Sequence, residues 1–223
     1  MNTLDSITGY FVTGTDTGAG KTTVSCAFLH AFARRGNTVV GFKPVAAGCE
    51  NENGRDAISL QRASNIVAPQ TLINPYALAL PIAPHIAAEK ADIRIDLTVI
   101  RQAFDILRAR AQIVIAEGVG GFLVPLGDEY DTGDLAKLLG LPIILAVGMR
   151  LGCINHALLS AQAIQSRGLP LAGWVANQLE PAMPYISENI NTLRARLPCP
   201  LLGVLPFQPS VDTESLAGLL RLP

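Results

Sequence analysis

The chain has 223 residues, with 17 Lys and Arg set against 18 Asp and Glu, 49% hydrophobic residues and only 16% charged ones. Soluble domains average about 25% charged residues, so this chain is rich in core, and disorder as its main state is excluded. No basic excess is present to neutralise phosphates, which disfavours an ordinary nucleic-acid binder.

The longest strongly apolar run, Leu141 to Met149, is far short of the ~20 residues a membrane span needs. Met1 to Asp5 has neither the basic start nor the apolar stretch of a signal peptide. Cys26, Cys49, Cys153 and Cys199 form no C-x-x-C pair and read as reduced thiols of a cytoplasmic protein.

Apolar runs then alternate with helical patterns. Tyr10-Phe11-Val12 reads as a first strand, and Val24, Ala27, Phe28, Ala31 and Phe32 line one helical face. Arg34-Arg35-Gly36 ends that helix, with cations at the negative end of its dipole and a glycine to reverse the chain. Further strands are expected at Thr38 to Val40, Ile113 to Ala116, Ile143 to Val147, Leu171 to Ala176 and Leu201 to Leu205. Between two of them, Ala157, Leu158, Ala161 and Ile164 mark a helix closed by Arg167-Gly168. Continuously apolar strands of this kind are buried on both faces. Their alternation with helices predicts an α/β fold, a mostly parallel β-sheet with helices on both faces. Cys49 to Pro84 is the least regular stretch and is expected to carry loops over one end of the sheet.

Gly14-Thr15-Asp16-Thr17-Gly18-Ala19-Gly20-Lys21-Thr22 follows the first strand and opens the first helix, the context of a phosphate-binding P-loop. Glycines let backbone N–H groups turn toward phosphate oxygens, and the helix N-terminus adds positive potential. Lys21 would reach the terminal phosphates, and the Thr22 hydroxyl suits Mg²⁺. Thr15 stands where G-x-x-x-x-G-K-[ST] places its first glycine, so this is a variant one residue longer. The plainer alternative is a glycine-rich turn that binds nothing. A dinucleotide fingerprint fits worse, since the glycine spacing is wrong.

Glu117 ends an apolar strand and precedes Gly118-Val119-Gly120-Gly121, at the strand end where open α/β sheets bind ligands. It is a metal-ligand candidate or a carboxylate facing water. Asp56 begins an expected helix, and spacing alone favours an N-cap. Lys43-Pro44 closes the second strand, where a lysine either faces a phosphate or is a solvated charge. His30, His85 and His156 show no metal-ligand spacing, and no G-x-S-x-G elbow is present.

Gly14 to Thr17 with Gly20-Lys21-Thr22, Lys43-Pro44-Val45-Ala46, Glu117 to Gly121, Gly152-Cys153-Ile154-Asn155-His156 and Gly173-Trp174-Val175-Ala176-Asn177 together resemble dethiobiotin synthetase. The likeness runs in order from about Tyr10 to Phe207. It implies a single P-loop NTPase-like domain over residues 1–223, an ATP- and Mg²⁺-dependent cyclo-ligase, and a cytoplasmic homodimer engaging neither nucleic acid nor membrane. Its substrates would be 7,8-diaminononanoate and CO₂, joined through a carbamate and a carbamic-phosphoric anhydride to give dethiobiotin, ADP and phosphate.

The same resemblance implies that Lys21, Lys43 and Thr17 are catalytic and that Thr22, Asp56 and Glu117 hold Mg²⁺, which reverses the N-cap reading of Asp56. Gly18, Ala19, Gly20, Thr22, Thr23, Gly118, Val119 and Gly120 would surround the phosphates. Asn177 and Gln178 would meet the adenine, bordered by Pro206, Phe207 and Gln208. Ala47 and the helix start Gly152, Cys153, Ile154 and Asn155 would contact the substrate, the helix start coming from the second subunit; residues alone favour Cys153 as mere packing. Ala47 departs from a common serine, and Asn189 stands where a tyrosine is expected. Competing readings are a partition-type ATPase switch, an amidotransferase ATPase domain lacking its glutaminase, and a nucleotide-binding pseudoenzyme.

Overall fold

A computed structural model describes residues 9–49 and 54–223. The signal-peptide reading of Met1 to Asp5, and residues 50–53 of the irregular stretch, lie outside the described residues. In chain order the elements are β1 (Gly9–Gly14), α1 (Lys21–Ala33), β2 (Val39–Phe42), β3 (Val45–Ala47), α2 (Arg55–Ala63), α3 (Gln70–Ile73), β4 (Tyr76–Leu78), α4 (Pro84–Lys90), α5 (Leu97–Arg108), β5 (Ile113–Glu117), α6 (Thr132–Leu139), β6 (Ile143–Met149), α7 (Cys153–Ser166), β7 (Leu171–Gln178), α8 (Ile186–Arg196), β8 (Leu201–Leu205) and α9 (Thr213–Leu216).

The main sheet has the order β2-β5-β1-β6-β7-β8, and its pairings are parallel. Strand side chains alternate between faces, and β1 and β5 divide accordingly. Phe11, Val114 and Ala116 pack with Ile100, Phe104 and Leu107 of α5. Tyr10, Val12 and Ile115 pack with Val24, Phe28 and Leu29 of α1. Farther along, Leu145, Val147 and Trp174 meet Ala157 and Ala161 of α7 and Leu193 of α8. Helices therefore cover both faces, which is why the strands read as unbroken apolar runs.

Two expectations change. The stretch from Cys49 to Pro84 is not only loop. It holds α2, α3 and β4, and β4 pairs in parallel with β3 as a separate two-stranded sheet, Val45 opposite Tyr76 and Ala47 opposite Leu78. Strands this short have no readable period, and only their pairing defines them. Helix α1 is also buried beyond its expected stripe, including Ser25, Cys26 and Leu29, because α2 and α9 pack against it.

Parallel strands bring all their carboxyl ends to one edge. Register places Phe42 opposite Ala116, Val12 opposite Glu117, Gly14 opposite Ala146 and Gly148 opposite Asn177. The phosphate loop, Lys43, Glu117 and Asn177 thus gather at one edge from distant stretches of chain. Among the described residues no helix is long and apolar enough to cross a membrane.

Candidate active site

The phosphate loop turns directly from β1 into α1. Gly20, the residue before α1, has φ +83°, and a Cβ there would lie 1.9 Å from the Asn177 amide nitrogen. Only glycine fits such a backbone against such a neighbour. Asn177 Nδ2 donates to the Ala19 carbonyl at 3.1 Å, tying the end of β7 to the loop. The loop is braced again by an ion pair between Asp16 and Arg150, beyond the end of β6.

Lys21, only 8% exposed, donates to the Gly120 carbonyl at 2.6 Å and to the Asp16 carbonyl at 3.2 Å. Burial and then the nearby Lys43 charge push its ammonium down to about 8. An ammonium has three donors, so two are committed to carbonyls and one is left for a ligand.

Lys43 is fully committed. Its Nζ donates to Glu117 Oε1 at 2.6 Å, lies 2.7 Å from Asp56 Oδ2, and donates to the Gly118 carbonyl at 3.1 Å. Burial disfavours its charge, but the Glu117 and Asp56 carboxylates outweigh burial and hold the ammonium above its usual range. Burial likewise opposes the charge on Asp56, and Lys43 overcomes it, holding that carboxyl below the usual range.

Thr22 Oγ1 donates to the same Glu117 oxygen at 2.9 Å, while Glu117 Oε2 is buried and has no hydrogen-bond partner. A carboxylate oxygen in that state is satisfied by a cation, a water or a donor from a ligand. Thr22, Asp56 and Glu117 supply only hard oxygen atoms. Among the described residues no three His, Cys, Asp or Glu side chains cluster. Two carboxylates that leave the remaining positions to water and phosphate suit Mg²⁺.

Lys21, Thr22, Lys43 and Asp56 line a cavity of about 840 Å³. On one side stand Asp16, Thr17, Gly18 and Gly20 to Thr23. Val119 to Gly121 and Val124 stand beside that loop, Gly120 within reach of both Lys21 and Thr17, and Ala47, Pro81 to Pro84, Lys43 and Asp56 complete the lining. The structure therefore brings together Thr17, Gly18, Gly20, Lys21, Thr22, Thr23, Lys43, Ala47, Asp56, Val119 and Gly120. Buried Glu117 and the Gly118 carbonyl lie directly behind them, and Ala19 is buried within the loop. Asp56 is not an N-cap: Gly54 holds that position, and Asp56 sits in the first turn of α2, aimed at Lys43.

Gln178, Pro206, Phe207 and Gln208 line neither this cavity nor a neighbouring one of about 320 Å³ between α1, α2 and the segment holding Val211 and Thr213. Gln208 spends its side-chain oxygen on the Asp212 N–H, at 2.8 Å. Gly152, Cys153, Ile154 and Asn155 open α7 away from the cavity. Cys153 is buried in the core beside β6, its sulfur 3.8 Å from Asn189 Oδ1. Sequence reasoning missed Arg150, Val124 and the Pro81 to Pro84 wall. The two prolines were a signal for a rigid loop, whereas nothing local marks Arg150 or Val124.

Comparison with known proteins bears on the same edge of the sheet. A family model described as an AAA domain matches residues 8–215. The ATP-dependent dethiobiotin synthetase of Nitrosospira multiformis is 60% identical, covering 96% of this chain and 95% of its own. The chain belongs to the dethiobiotin synthetase family. A second synthetase, from Aromatoleum aromaticum, is 55% identical over 96% of this chain and 97% of its own length. Solved structures extend the fold beyond the family. The MinC:MinD complex of Aquifex aeolicus matches with TM-score 0.57 at 14% identity, covering 93% of this chain and 85% of that one. The signal recognition particle receptor FtsY of Elizabethkingia anophelis matches with TM-score 0.55 at 11% identity, over all of this chain and 62% of that one. Likeness at such identities is one of fold alone, and the partition-type switch reading gains nothing from it.

Proposed function

We propose that the chain catalyses ATP-dependent closure of 7,8-diaminononanoate with CO₂ into dethiobiotin, releasing ADP and phosphate. The observation that carries this reading is the convergence of Lys21, Lys43, Thr22 and Asp56 on one cavity, with Glu117 tying Lys43 and Thr22 together from behind, in a chain of this family. Backbone N–H groups of the loop and the free donor of Lys21 bind the β- and γ-phosphates. Thr22, Asp56 and Glu117 are proposed to hold Mg²⁺, which when bound neutralises phosphate charge.

One substrate amine takes up CO₂ as a carbamate. Its oxygen attacks the γ-phosphorus, the bond to the leaving ADP oxygen breaks, and the second amine then displaces phosphate as the ring closes. Lys43 stabilises the carbamate and the transferring phosphoryl group through its charge, its donors being committed to Glu117, Asp56 and the Gly118 carbonyl, and the Thr17 hydroxyl supplies a donor. The chain contributes position and charge rather than a covalent step. The wall of Ala47, Pro81, Ile82 and Pro84 offers no side-chain hydroxyl, so it holds the methylene chain by apolar contact and leaves the amines to the opposite side.

The terminal carboxylate of the substrate is assigned to the start of α7, and because that helix opens away from its own cavity, a homodimer is proposed in which each copy serves the other. Leu151, 98% exposed beside the helix start, and Leu159, 56% exposed along it, support such a contact. Asn177, Gln178, Pro206, Phe207 and Gln208 are proposed to flank the adenine. We place the enzyme in the cytoplasm, consistent with four free thiols, and read residues 1–223 as one domain.

The test is phosphate release from MgATP and bicarbonate, with and without 7,8-diaminononanoate. Release requiring both diamine and bicarbonate, with dethiobiotin as product, supports the reading. Slow release indifferent to the diamine overturns it.

A further inference from the structure

The loop between β5 and α6 carries two of the carbonyls that hold the cavity lysines: Gly118 faces Lys43 and Gly120 faces Lys21. Something must hold this loop in place, because it has little regular structure of its own. Thr132, the first residue of α6, is completely buried. Its hydroxyl donates to the Phe122 carbonyl at 2.5 Å and accepts from the Val124 N–H at 3.2 Å, while its own N–H donates to the Val124 carbonyl at 3.0 Å. One side chain and one amide thereby hold Phe122 and Val124 on both sides. Val124 in turn packs against Gly120, where an added Cβ would lie 2.9 Å from Val124 Cγ2.

The anchor is itself anchored. Asp131 and Asp134 exchange backbone-to-carboxylate hydrogen bonds at 3.0 Å as a capping box. Arg167, at the end of α7, clasps both carboxylates at 2.5 Å. We propose that Thr132 is a positioning residue for Lys21: its buried hydroxyl fixes the β5–α6 loop so that the Gly120 carbonyl orients the ammonium and leaves its third donor directed at the phosphates. Arg167 supports this arrangement from outside. The inference rests on the functional reading above, because it assigns Lys21 to phosphate.

The experiment compares Thr132→Val, which keeps the shape and loses the hydroxyl, with Thr132→Ser, which keeps the hydroxyl. Both are measured for kcat, for KM of the diamine, and for ATP affinity by titration. Thr132→Val is expected to lower kcat about tenfold or more, because a small misplacement of a charge-stabilising group acts on the transition state. It should also weaken ATP binding about fivefold and leave the diamine KM within about twofold. Thr132→Ser should restore both quantities to within about threefold of the parent enzyme.

A Thr132→Val enzyme with parental kcat and ATP affinity overturns the proposal. So does a serine variant as impaired as the valine one, or a loss fully accounted for by the unfolded fraction. Should Thr132→Val fail to fold, Arg167→Gln is read instead: a drop in kcat of about threefold at unchanged diamine KM supports the proposal, and parental kcat overturns it. If the parent enzyme shows no diamine-dependent turnover, the functional reading fails, and ATP affinity in the valine and serine variants still decides the role of Thr132.

Discussion

The cavity has two sides built by different means. The phosphate side is a single stretch, Asp16 to Thr23, whose conformation follows from its own glycines and from its place between a strand and a helix. The other side is assembled from segments remote in sequence: Ala47 on β3, and Pro81 to Pro84 before and into α4. The first side carries the cation and the backbone donors that any triphosphate needs. The second is apolar and sets what else fits. A contiguous, strained loop handles the common reactant, and a composite wall handles the particular one, so the two sides are expected to fail differently.

The largest effect should come from Lys21→Met on the phosphate side. Removing a preorganised cation from a water-poor site costs about 10²–10³-fold in turnover, read as steady-state phosphate release, and ATP affinity falls with it. If turnover falls while ATP affinity stays intact, Lys21 serves the transition state alone.

Lys43→Met tests the floor between the two sides. It leaves the Glu117 and Asp56 carboxylates without their cation, and breaking a buried pair on one side costs about 3–5 kcal/mol, measurable by denaturant unfolding. Adding Glu117→Gln to Lys43→Met should recover part of that loss, and a purely additive double variant would mean the two side chains are not coupled.

pH acts differently on Lys21, Lys43 and Asp56. Lys21 titrates at about 8, so the cation is lost as pH rises through that value, and ATP affinity should fall by up to about tenfold per unit above it. Stability behaves otherwise. The Asp56 pKa is lowered, so its contribution is present above the ordinary carboxylate range and lost only as pH falls through the lowered folded value. The Lys43 pKa is raised, so its contribution is present below the ordinary lysine range and lost as pH rises through the raised value. Thermal unfolding against pH should therefore hold a plateau across the neutral range, and above about pH 8, where ATP affinity declines, the lowered Lys21 pKa should make stability rise rather than fall.

Gly20→Ala should cost about 1–3 kcal/mol, since the backbone is left-handed there and Asn177 occupies the space a methyl needs. The smallest effect belongs to the composite wall. Ala47→Ser adds a hydroxyl that the wall lacks, and it should lower the diamine KM by up to about tenfold with kcat unchanged. An equal change in ATP affinity would merge the two sides and dissolve the distinction.

Much of this was legible in the residues. Unbroken apolar runs at Tyr10 to Val12, Ile113 to Ala116 and Ile143 to Val147 announced strands covered on both faces, and all three are central in the sheet. The loop announced itself because its chemistry is contiguous. Asp56 did not: spacing made it a cap, and only the fold, with Gly54 in that position and Lys43 nearby, made it an ion-pair partner. Thr132 carried no local signal, since a threonine before an apolar helix reads as ordinary.

What the sequence determined by itself was the succession of main-sheet strands, the first helix and the one after β6, the phosphate loop and the strand-end positions of Lys43 and Glu117, because each depends on residues within a turn or two of chain. What only the tertiary structure decided was which of those strand ends meet, which donors of Lys21 and Lys43 are already committed, and which oxygen of Glu117 is left over. Those outcomes depend on pairing across as many as 158 residues of chain, the separation of Asn177 and Ala19, and no local period or motif encodes a contact of that range.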